Sequence, residues 1–192
     1  MTFASGLRSI LRQDPNTIMV GEIRDHETAS IAVESALTGH LVLSTLHTNT
    51  ACGAVTRFVE MGIEPFLVAS TLLVVGAQRL VRRICPNCVE PYEAPLEAMA
   101  ALGLEPVPST LFLRGKGCYQ CSQTGFSGRV GIYEILEVSD PVKDKIIKGG
   151  TTHELERLAV EEGVLRTLKM DAADKVLRGY TTLEEAGAAV LV

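Results

Sequence analysis

Strand-like and helix-like segments alternate over residues 17–62, and this alternation limits the possible folds more than any other feature of the sequence. Thr17–Ile23 and His40–His47 are short apolar runs rich in β-branched residues, which predict buried strands. Helical periodicity follows each of them, over Thr28–Leu37 and about Thr50–Met61. The order strand, helix, strand, helix predicts an α/β fold with a parallel sheet.

The ends of the predicted helices carry local signals that support these limits. Asp25 precedes the first helix as a plausible N-cap, and Gly39 and Gly62 lie where the two helices end. Arg129–Glu137 predicts a further strand, and the remainder of the chain is expected to be helical. The expected helix starts there are Ser139 before Pro141 and two capping boxes, Thr151-x-x-Glu154 and Thr181-x-x-Glu184.

Composition excludes several classes of protein. Hydrophobic residues make up 46% of the 192 residues, which supports a buried core and argues against disorder. The net charge of −5 disfavours a nucleic-acid-binding protein. Arg79, Arg82 and Arg83 could still contact phosphates or an acidic partner, or simply form the solvated basic end of a helix.

No segment of the sequence indicates export or a membrane span. The longest apolar stretch, Pro65–Ala77, is too short to cross a bilayer of about 30 Å and predicts a buried helix. The N-terminal residues lack the apolar region of a secretory signal. We therefore expect a soluble, cytoplasmic protein.

Four of the five cysteines form two C-x-x-C pairs, Cys85/Cys88 and Cys118/Cys121. Each pair places two thiolates on one tight turn, and two such turns can close a tetrahedral Zn²⁺ site with sulfur ligands at about 2.3 Å. Four thiolates leave no open coordination position, so a zinc ion here would be structural. A redox dithiol and a pair of disulfides are the competing interpretations.

The surroundings of the cysteines predict three domains. Residues 84–130 contain both pairs together with many prolines and glycines, which predicts a small zinc-binding insert without a core of its own. The insert would separate an α/β core at 1–83 from a strand and helical subdomain at 131–192. Cys52 stands alone in a helical stretch and is expected to be a small core residue.

Two stretches carry polar residues at the ends of predicted strands. In Ile18–Asp25 (IMVGEIRD) a hydrophobic strand is followed by Glu22, and many nucleotide hydrolases use such an acid to hold a water molecule or Mg²⁺ beside the γ-phosphate. The simpler interpretation is a buried strand whose Glu22 reaches solvent. His47, Thr48 and Asn49 follow the second strand, where ligands bind in open α/β sheets, although a structural His is as plausible there.

The ordered set of these stretches resembles the type II secretion/type IV pilus-assembly ATPases over nearly the whole chain. The resemblance is carried by LRQDPNTIMVGEIRD, TGHLVLSTLHTNTA, GIEPF, AQRLVRRICPNC, GCYQC and GRVGIYEIL. It implies a RecA-like P-loop NTPase sheet and an atypical Walker B box in which Gly21 replaces the usual acid. By the same resemblance, Glu22 positions or activates the attacking water and His47 senses or contacts the γ-phosphate.

Further roles are implied by the resemblance. It assigns Gly21, Arg24, His40 and Thr48 to nucleotide binding, and Arg8 and Arg12 more loosely to subunit or nucleotide contacts. ATP and Mg²⁺ are the implied cofactors besides Zn²⁺. The implied assembly is a homo-hexamer that acts with inner-membrane platform proteins, as a cytoplasmic protein peripherally associated with the bacterial inner membrane.

The resemblance favours type II secretion, in the form of pseudopilus assembly, with type IV pilus assembly as the alternative. Retraction motors of the family generally lack the cysteine insert, whereas secretion and assembly motors usually carry it. The sequence contains no G-x-x-x-x-G-K-[ST] loop, which in the family precedes the Walker B box. We therefore expect a truncated RecA-like sheet without ATPase activity of its own, and an exposed sheet edge and apolar surface that promote association. A non-enzymatic, zinc-stapled fragment is the remaining alternative.

Overall fold

The computed structural model describes residues 3–105 and 111–190 and shows an α/β protein. The chain forms two compact units. One contains Met1–Val75 and Ile135–Leu165, and the other contains Gly76–Glu134 and Arg166–Val192. The predicted division into 1–83, 84–130 and 131–192 stays a prediction about domain organisation.

Helices and strands alternate at the start of the first unit. Its elements are α1 (Phe3–Leu11), β1 (Thr17–Val20), α2 (His26–Leu37), β2 (Leu41–Ser44), α3 (Ala51–Glu60), α4 (Pro65–Thr71), α6 (Asp140–Ile147) and α7 (Thr152–Glu161). Strands β1 and β2 pair in parallel, with Thr17 opposite Leu41 and Val20 opposite Ser44. This pairing confirms the predicted α/β fold with parallel strands, although both strands are shorter than the sequence indicated.

The predicted helix ends are confirmed in this unit. Asp25 caps α2, because its carboxylate accepts a hydrogen bond of 2.8 Å from the Thr28 backbone N–H. Thr151 and Glu154 form the predicted capping box of α7. Gly39 has a φ of 97°, in the left-handed region that side chains with a Cβ disfavour, which explains why glycine follows α2.

The core of the first unit lies on one face of the β1–β2 pair. Ile18 and Val20 point into it, and Cys52 is buried there as predicted. The largest buried side chains around them are Val55, Val68, Leu136, Val142 and Leu155. On the opposite face Met19, Leu41 and Leu43 are exposed, whereas parallel sheets are usually covered on both faces.

The second unit contains most of the remaining strands. Its elements are most of β3 (Val74–Ile84), β4 (Val89–Glu93), α5 (Leu96–Ala101), β5 (Leu111–Gly115), a 3₁₀ turn (Tyr119–Cys121), most of β6 (Phe126–Glu137), α8 (Leu168–Leu177) and α9 (Leu183–Val190). Strands β4 and β5 pair antiparallel, and β7 (Leu165–Arg166) joins β3 and β6 in the order β3–β6–β7. The core residues of 84–130 (Met99, Leu102, Phe112) pack with Leu168, Val176 and Leu183 from the C-terminal helices.

Three local predictions are wrong. The apolar stretch Pro65–Ala77 is a helix only to Thr71, and β3 begins at Val74, because β3 pairs with β6 in a sheet and the β-branched pair at 74–75 suits a strand. Arg79, Arg82 and Arg83 consequently lie on a strand and do not form a helix end.

No helix in the described ranges is long and apolar enough to cross a membrane.

The third error concerns the start of α9. The segment Thr181-Thr182-Leu183-Glu184-Glu185 matches the capping-box spacing in two registers. The structure forms the N-cap hydrogen bond of the second register, while the Glu185 carboxylate accepts from the Arg82 backbone N–H instead. The Thr182 hydroxyl accepts from the Glu185 backbone N–H at 3.3 Å, whereas the Thr181 hydroxyl donates to the Arg82 carbonyl at 2.8 Å. Thr181 therefore anchors the chain to β3. Ser139 is the N-cap residue of α6 as predicted, but its side chain makes no capping hydrogen bond.

Candidate functional site

The ends of β1 and β2 bring Glu22 and His47 together. Carboxyl ends of parallel strands meet at one edge of a sheet, where open α/β proteins bind ligands. His47 Nε2 lies 3.1 Å from Glu22 Oε2, and Arg24 Nε lies 2.7 Å from the same oxygen. The Glu22 side chain is 23% exposed and the His47 side chain 75% exposed. The carboxylate is thus partly shielded, while the imidazole faces solvent.

Thr45, a residue that the sequence analysis did not single out, forms hydrogen bonds between the end of β2 and the backbone on either side of Glu22. The Thr45 hydroxyl donates to the Gly21 carbonyl at 2.7 Å, and the Ile23 backbone N–H donates to the Thr45 carbonyl at 3.0 Å. These two hydrogen bonds flank Glu22. Only the strand register makes them visible, because threonine in an apolar run is otherwise an ordinary strand residue.

The other residues assigned to nucleotide binding are distributed unevenly around this edge. Gly21 and Arg24 adjoin Glu22, and the Thr48 hydroxyl donates to the Thr50 carbonyl at 3.3 Å, next to the start of α3. His40 precedes β2, at the opposite end of the strand from His47. Its Nδ1 lies 3.0 Å from the Ser35 carbonyl at the end of α2. His40 therefore does not join the Glu22 cluster.

The two basic residues before β1 also lie apart from this cluster. Arg8 pairs with Glu27 at 2.8 Å. Arg12 is exposed, after the end of α1. Their suggested contacts with subunits or nucleotide stay predictions.

The neighbours of Glu22 favour its charged form. The hydrogen bond from His47 is the largest influence and lowers the pKa of Glu22 below its usual 4.5, while partial burial opposes this and Arg24 reinforces it. A lowered pKa makes the carboxylate a weaker base but keeps it ionised, so that it can orient a water molecule by accepting a hydrogen bond. The geometry and charge at this edge therefore fit a group that positions water.

The four paired cysteines come together in the second unit, as the sequence predicted. Their Sγ atoms all lie within 4.8 Å of one another. The separations are 3.9 Å for Cys85–Cys118, 3.9 Å for Cys88–Cys121 and 3.6 Å for Cys118–Cys121. A disulfide requires about 2.05 Å between sulfurs, so none of these three pairs is a disulfide. The arrangement is that of a ligand set and not of two disulfides.

Close backbone approach holds the two cysteine turns together. The Cys85 backbone N–H donates to the Gly125 carbonyl at 2.9 Å, and the Lys116 N–H donates to the Cys88 carbonyl at 3.0 Å. A Cβ at Gly115 would lie 2.0 Å from the Gly125 carbonyl oxygen, so only glycine permits this approach. Backbone hydrogen bonds thus hold the two cysteine turns side by side.

The surroundings of two of the cysteines shift their pKa values in opposite directions. Burial raises the pKa of Cys88 to about 12. Burial would also raise the pKa of Cys121, but backbone N–H donors at Cys118 and Gly125 outweigh it and lower that pKa to about 6. Four thiolates this close repel one another, and a cation among them would favour their joint ionisation. The donor set fits a divalent soft metal such as zinc.

Solved structures with the same fold are ATPases. The Legionella pneumophila ATPase DotB matches 99% of this chain and 42% of its own, at a TM-score of 0.66 and 25% identity. The pilus retraction motor PilT, solved with bound ADP, matches 98% of this chain and 43% of its own, at 0.68 and 26%. These matches define the fold class as RecA-like.

The sequence comparisons then define the family. The family described as Type II/IV secretion system protein matches residues 1–188, and the chain belongs to it. Type II secretion system protein E of Pseudomonas aeruginosa is 54% identical over 185 residues, which cover 96% of this chain and 36% of that protein. The type IV pilus assembly ATPase PilB of Thermus thermophilus is 48% identical over 187 residues, or 96% and 21%. The chain thus spans about a third or less of these curated relatives.

The lowered pKa of Glu22 yields a prediction about its partners. Replacing His47 with alanine is expected to raise the Glu22 pKa towards 4.5, and so is Arg24→Ala, because each change removes a hydrogen bond and a charge that lower it. Carbon NMR of the side-chain carboxyl during a pH titration measures this directly. His153→Ala, an exposed histidine on α7, is the control. An unchanged Glu22 pKa in either variant would contradict this assignment.

The same interaction has a defined effect on stability. Because the folded-state pKa of Glu22 is depressed, the contact stabilises the fold above about pH 4.5 and is lost as the pH falls through the folded-state value. The difference in unfolding free energy between wild type and Glu22→Gln should therefore shrink in acid.

Proposed function

We propose that this chain supplies the water-activating residues of an ATPase that powers type II protein secretion through pseudopilus assembly. One observation carries the proposal: an ionised, partly shielded Glu22 hydrogen-bonded to His47 at the carboxyl ends of two parallel strands. The 54% identity to type II secretion system protein E of Pseudomonas aeruginosa supports the biological role.

The proposed chemistry is an in-line attack of water on the γ-phosphate of ATP. In the described part of the chain, His47 and Arg24 both contact Oε2 of Glu22, which leaves Oε1 to accept a hydrogen bond from the water molecule. The exposed imidazole of His47 can then face a phosphate oxygen. Mg²⁺, when bound, would neutralise charge on the phosphates. Gly21, Arg24 and Thr48 adjoin this edge, whereas the assignment of His40 to nucleotide rests on the resemblance alone.

Hydrolysis by this chain alone is not part of the proposal. The sequence contains no G-x-x-x-x-G-K-[ST] loop, and that loop supplies the backbone N–H groups and lysine that hold the phosphates. We infer that the residues described above act only within a longer polypeptide. The proposed complete enzyme is a cytoplasmic homo-hexamer that docks on inner-membrane platform proteins, without a role for nucleic acid.

The cysteine cluster is proposed to hold one structural Zn²⁺. Tetrahedral zinc with Zn–S bonds of about 2.3 Å has sulfur–sulfur edges of about 3.8 Å, close to the separations of 3.6–3.9 Å found here. Four sulfur ligands would fill the coordination sphere, so the ion would join the two turns and take no part in hydrolysis.

Type IV pilus assembly is the second candidate function. PilB of Thermus thermophilus and PilB of Myxococcus xanthus are each 48% identical to the chain, so the same residues could serve an assembly motor. Pilus retraction has less support, because the PilT match is 26% identical.

The zinc proposal is tested by metal analysis of the purified, tag-free chain. We expect one zinc per chain, and four thiols that react only after chelation. Cys118→Ser should lose the metal and lower the midpoint of thermal unfolding, since an incomplete ligand set binds weakly. Cys52→Ala, which removes a core thiol far from any C-x-x-C pair in sequence, should retain it. Reactive or oxidised paired cysteines in metal-free protein would contradict the proposal.

The proposed activity is tested in a hybrid protein. This chain would replace the matching 185-residue segment of the Pseudomonas aeruginosa relative, and Mg²⁺-dependent ATP hydrolysis and secretion would be measured. We expect an active hybrid whose kcat falls at least about a hundredfold in Glu22→Gln, the scale of a lost general base. Glu60→Gln, an exposed acid on α3, is the control.

The results of the hybrid experiment distinguish type II secretion from type IV pilus assembly. Restored secretion supports the type II role, and pilus assembly by the equivalent hybrid with the Thermus relative favours the second candidate. A folded hybrid that binds no nucleotide supports a non-enzymatic role, and unchanged kcat in Glu22→Gln contradicts the proposed mechanism.

A further inference from the structure

Thr45 makes hydrogen bonds to the residues immediately before and after Glu22. Its hydroxyl donates to the carbonyl of Gly21, immediately before Glu22, and its carbonyl accepts from the N–H of Ile23, immediately after. The paired register of β1 and β2 ends at Val20 opposite Ser44. Thr45 therefore extends the connection between the two strands by one residue beyond the sheet.

We propose that Thr45 is a positioning residue, which holds the Glu22 carboxylate in reach of His47 for water activation. The inference rests on the proposed function for its role in hydrolysis. It assigns no contact between Thr45 and the substrate.

A buried side chain restrains the backbone immediately after Glu22. The Ile23 side chain is 4% exposed and belongs to the core of the first unit, so the backbone after Glu22 cannot move without disturbing that core. Before Glu22, Val20 is buried in the same core, but Gly21 between them has no side chain of its own. The Thr45 hydroxyl adds a restraint at the Gly21 carbonyl itself.

The position of Thr45 also links Glu22 to His47 along the chain. His47 lies two residues after Thr45, on the same extended segment that follows β2. A single residue thus fixes the backbone of the acid and, through a short covalent path, the segment that carries its hydrogen-bond partner. Valine has nearly the shape of threonine without the hydroxyl, whereas serine keeps the hydroxyl and loses the β-branch.

The first test uses the 192-residue chain without nucleotide. In Thr45→Val the pKa of Glu22, followed by carbon NMR of its carboxyl, is expected to move towards the usual value, because the carboxylate then leaves His47 for part of the time. Exchange of the Ile23 amide proton, which donates to the Thr45 carbonyl, should accelerate by about fivefold, the scale of one lost hydrogen bond.

Two control variants show whether a change in the Glu22 pKa is due to the lost hydroxyl of Thr45. Thr45→Ser should retain the wild-type Glu22 pKa, and Thr17→Val, the same change at the exposed start of β1, should leave it unchanged. A folded Thr45→Val chain with the wild-type Glu22 pKa would overturn the inference. So would an equal shift in Thr17→Val, because the effect would then be a general consequence of altering the sheet.

The second test concerns the reaction and uses the active hybrid. Thr45→Val is expected to lower kcat about tenfold with little change in KM, and Thr45→Ser to restore it, since positioning acts on the transition state more than on binding. Equal loss in both variants, or a change in KM alone, would overturn the positioning role. An inactive wild-type hybrid would count against the proposed function, while the nucleotide-free measurement would still decide whether Thr45 holds Glu22.

Discussion

The parallel pairing of β1 with β2 is the constraint on which the candidate site depends. Glu22 and His47 lie 25 residues apart in sequence, with helix α2 between them, and neither side chain has a local reason to approach the other. Pairing Val20 with Ser44 places the two strand ends side by side. The hydrogen bond between acid and imidazole then follows from where each strand stops. Any change that shifts the register by one residue would reverse the faces of the strand and separate the pair.

The two units differ in the interactions that stabilise them. The first has an aliphatic core beneath the strand pair, with Val55, Leu136 and Leu155 almost completely buried. The second has a smaller core and a cysteine cluster whose two turns are joined by backbone hydrogen bonds. A metal bound to the four thiolates would add its binding free energy to the stability of this unit. The Glu22–His47 pair and the cysteine cluster thus lie in separate units of the chain.

Local features of the sequence predicted local structure well. Asp25, Gly39 and the Thr151–Glu154 box act within one helical turn, so their outcome does not depend on distant residues. The cysteine spacing predicted correctly that the four thiols come together, because each C-x-x-C pair already places two of them on one turn. The errors occurred where tertiary contacts decide. Residues 74–77 form a strand because β3 has a sheet partner, and Thr181 leaves the cap because it binds the Arg82 carbonyl. Thr45 was missed for the same reason, since its role exists only in the register of two strands.

Glu22 could activate water or serve mainly to bind nucleotide, and we propose the first role. The fate of radiolabelled ATP bound by the hybrid protein with Glu22→Gln, separated from free nucleotide and analysed over time, distinguishes the two. We expect the variant to bind ATP with nearly wild-type affinity and to retain it as triphosphate. Conversion to ADP at the wild-type rate would show that Glu22 does not activate water, and loss of ATP binding would show that Glu22 acts in binding instead.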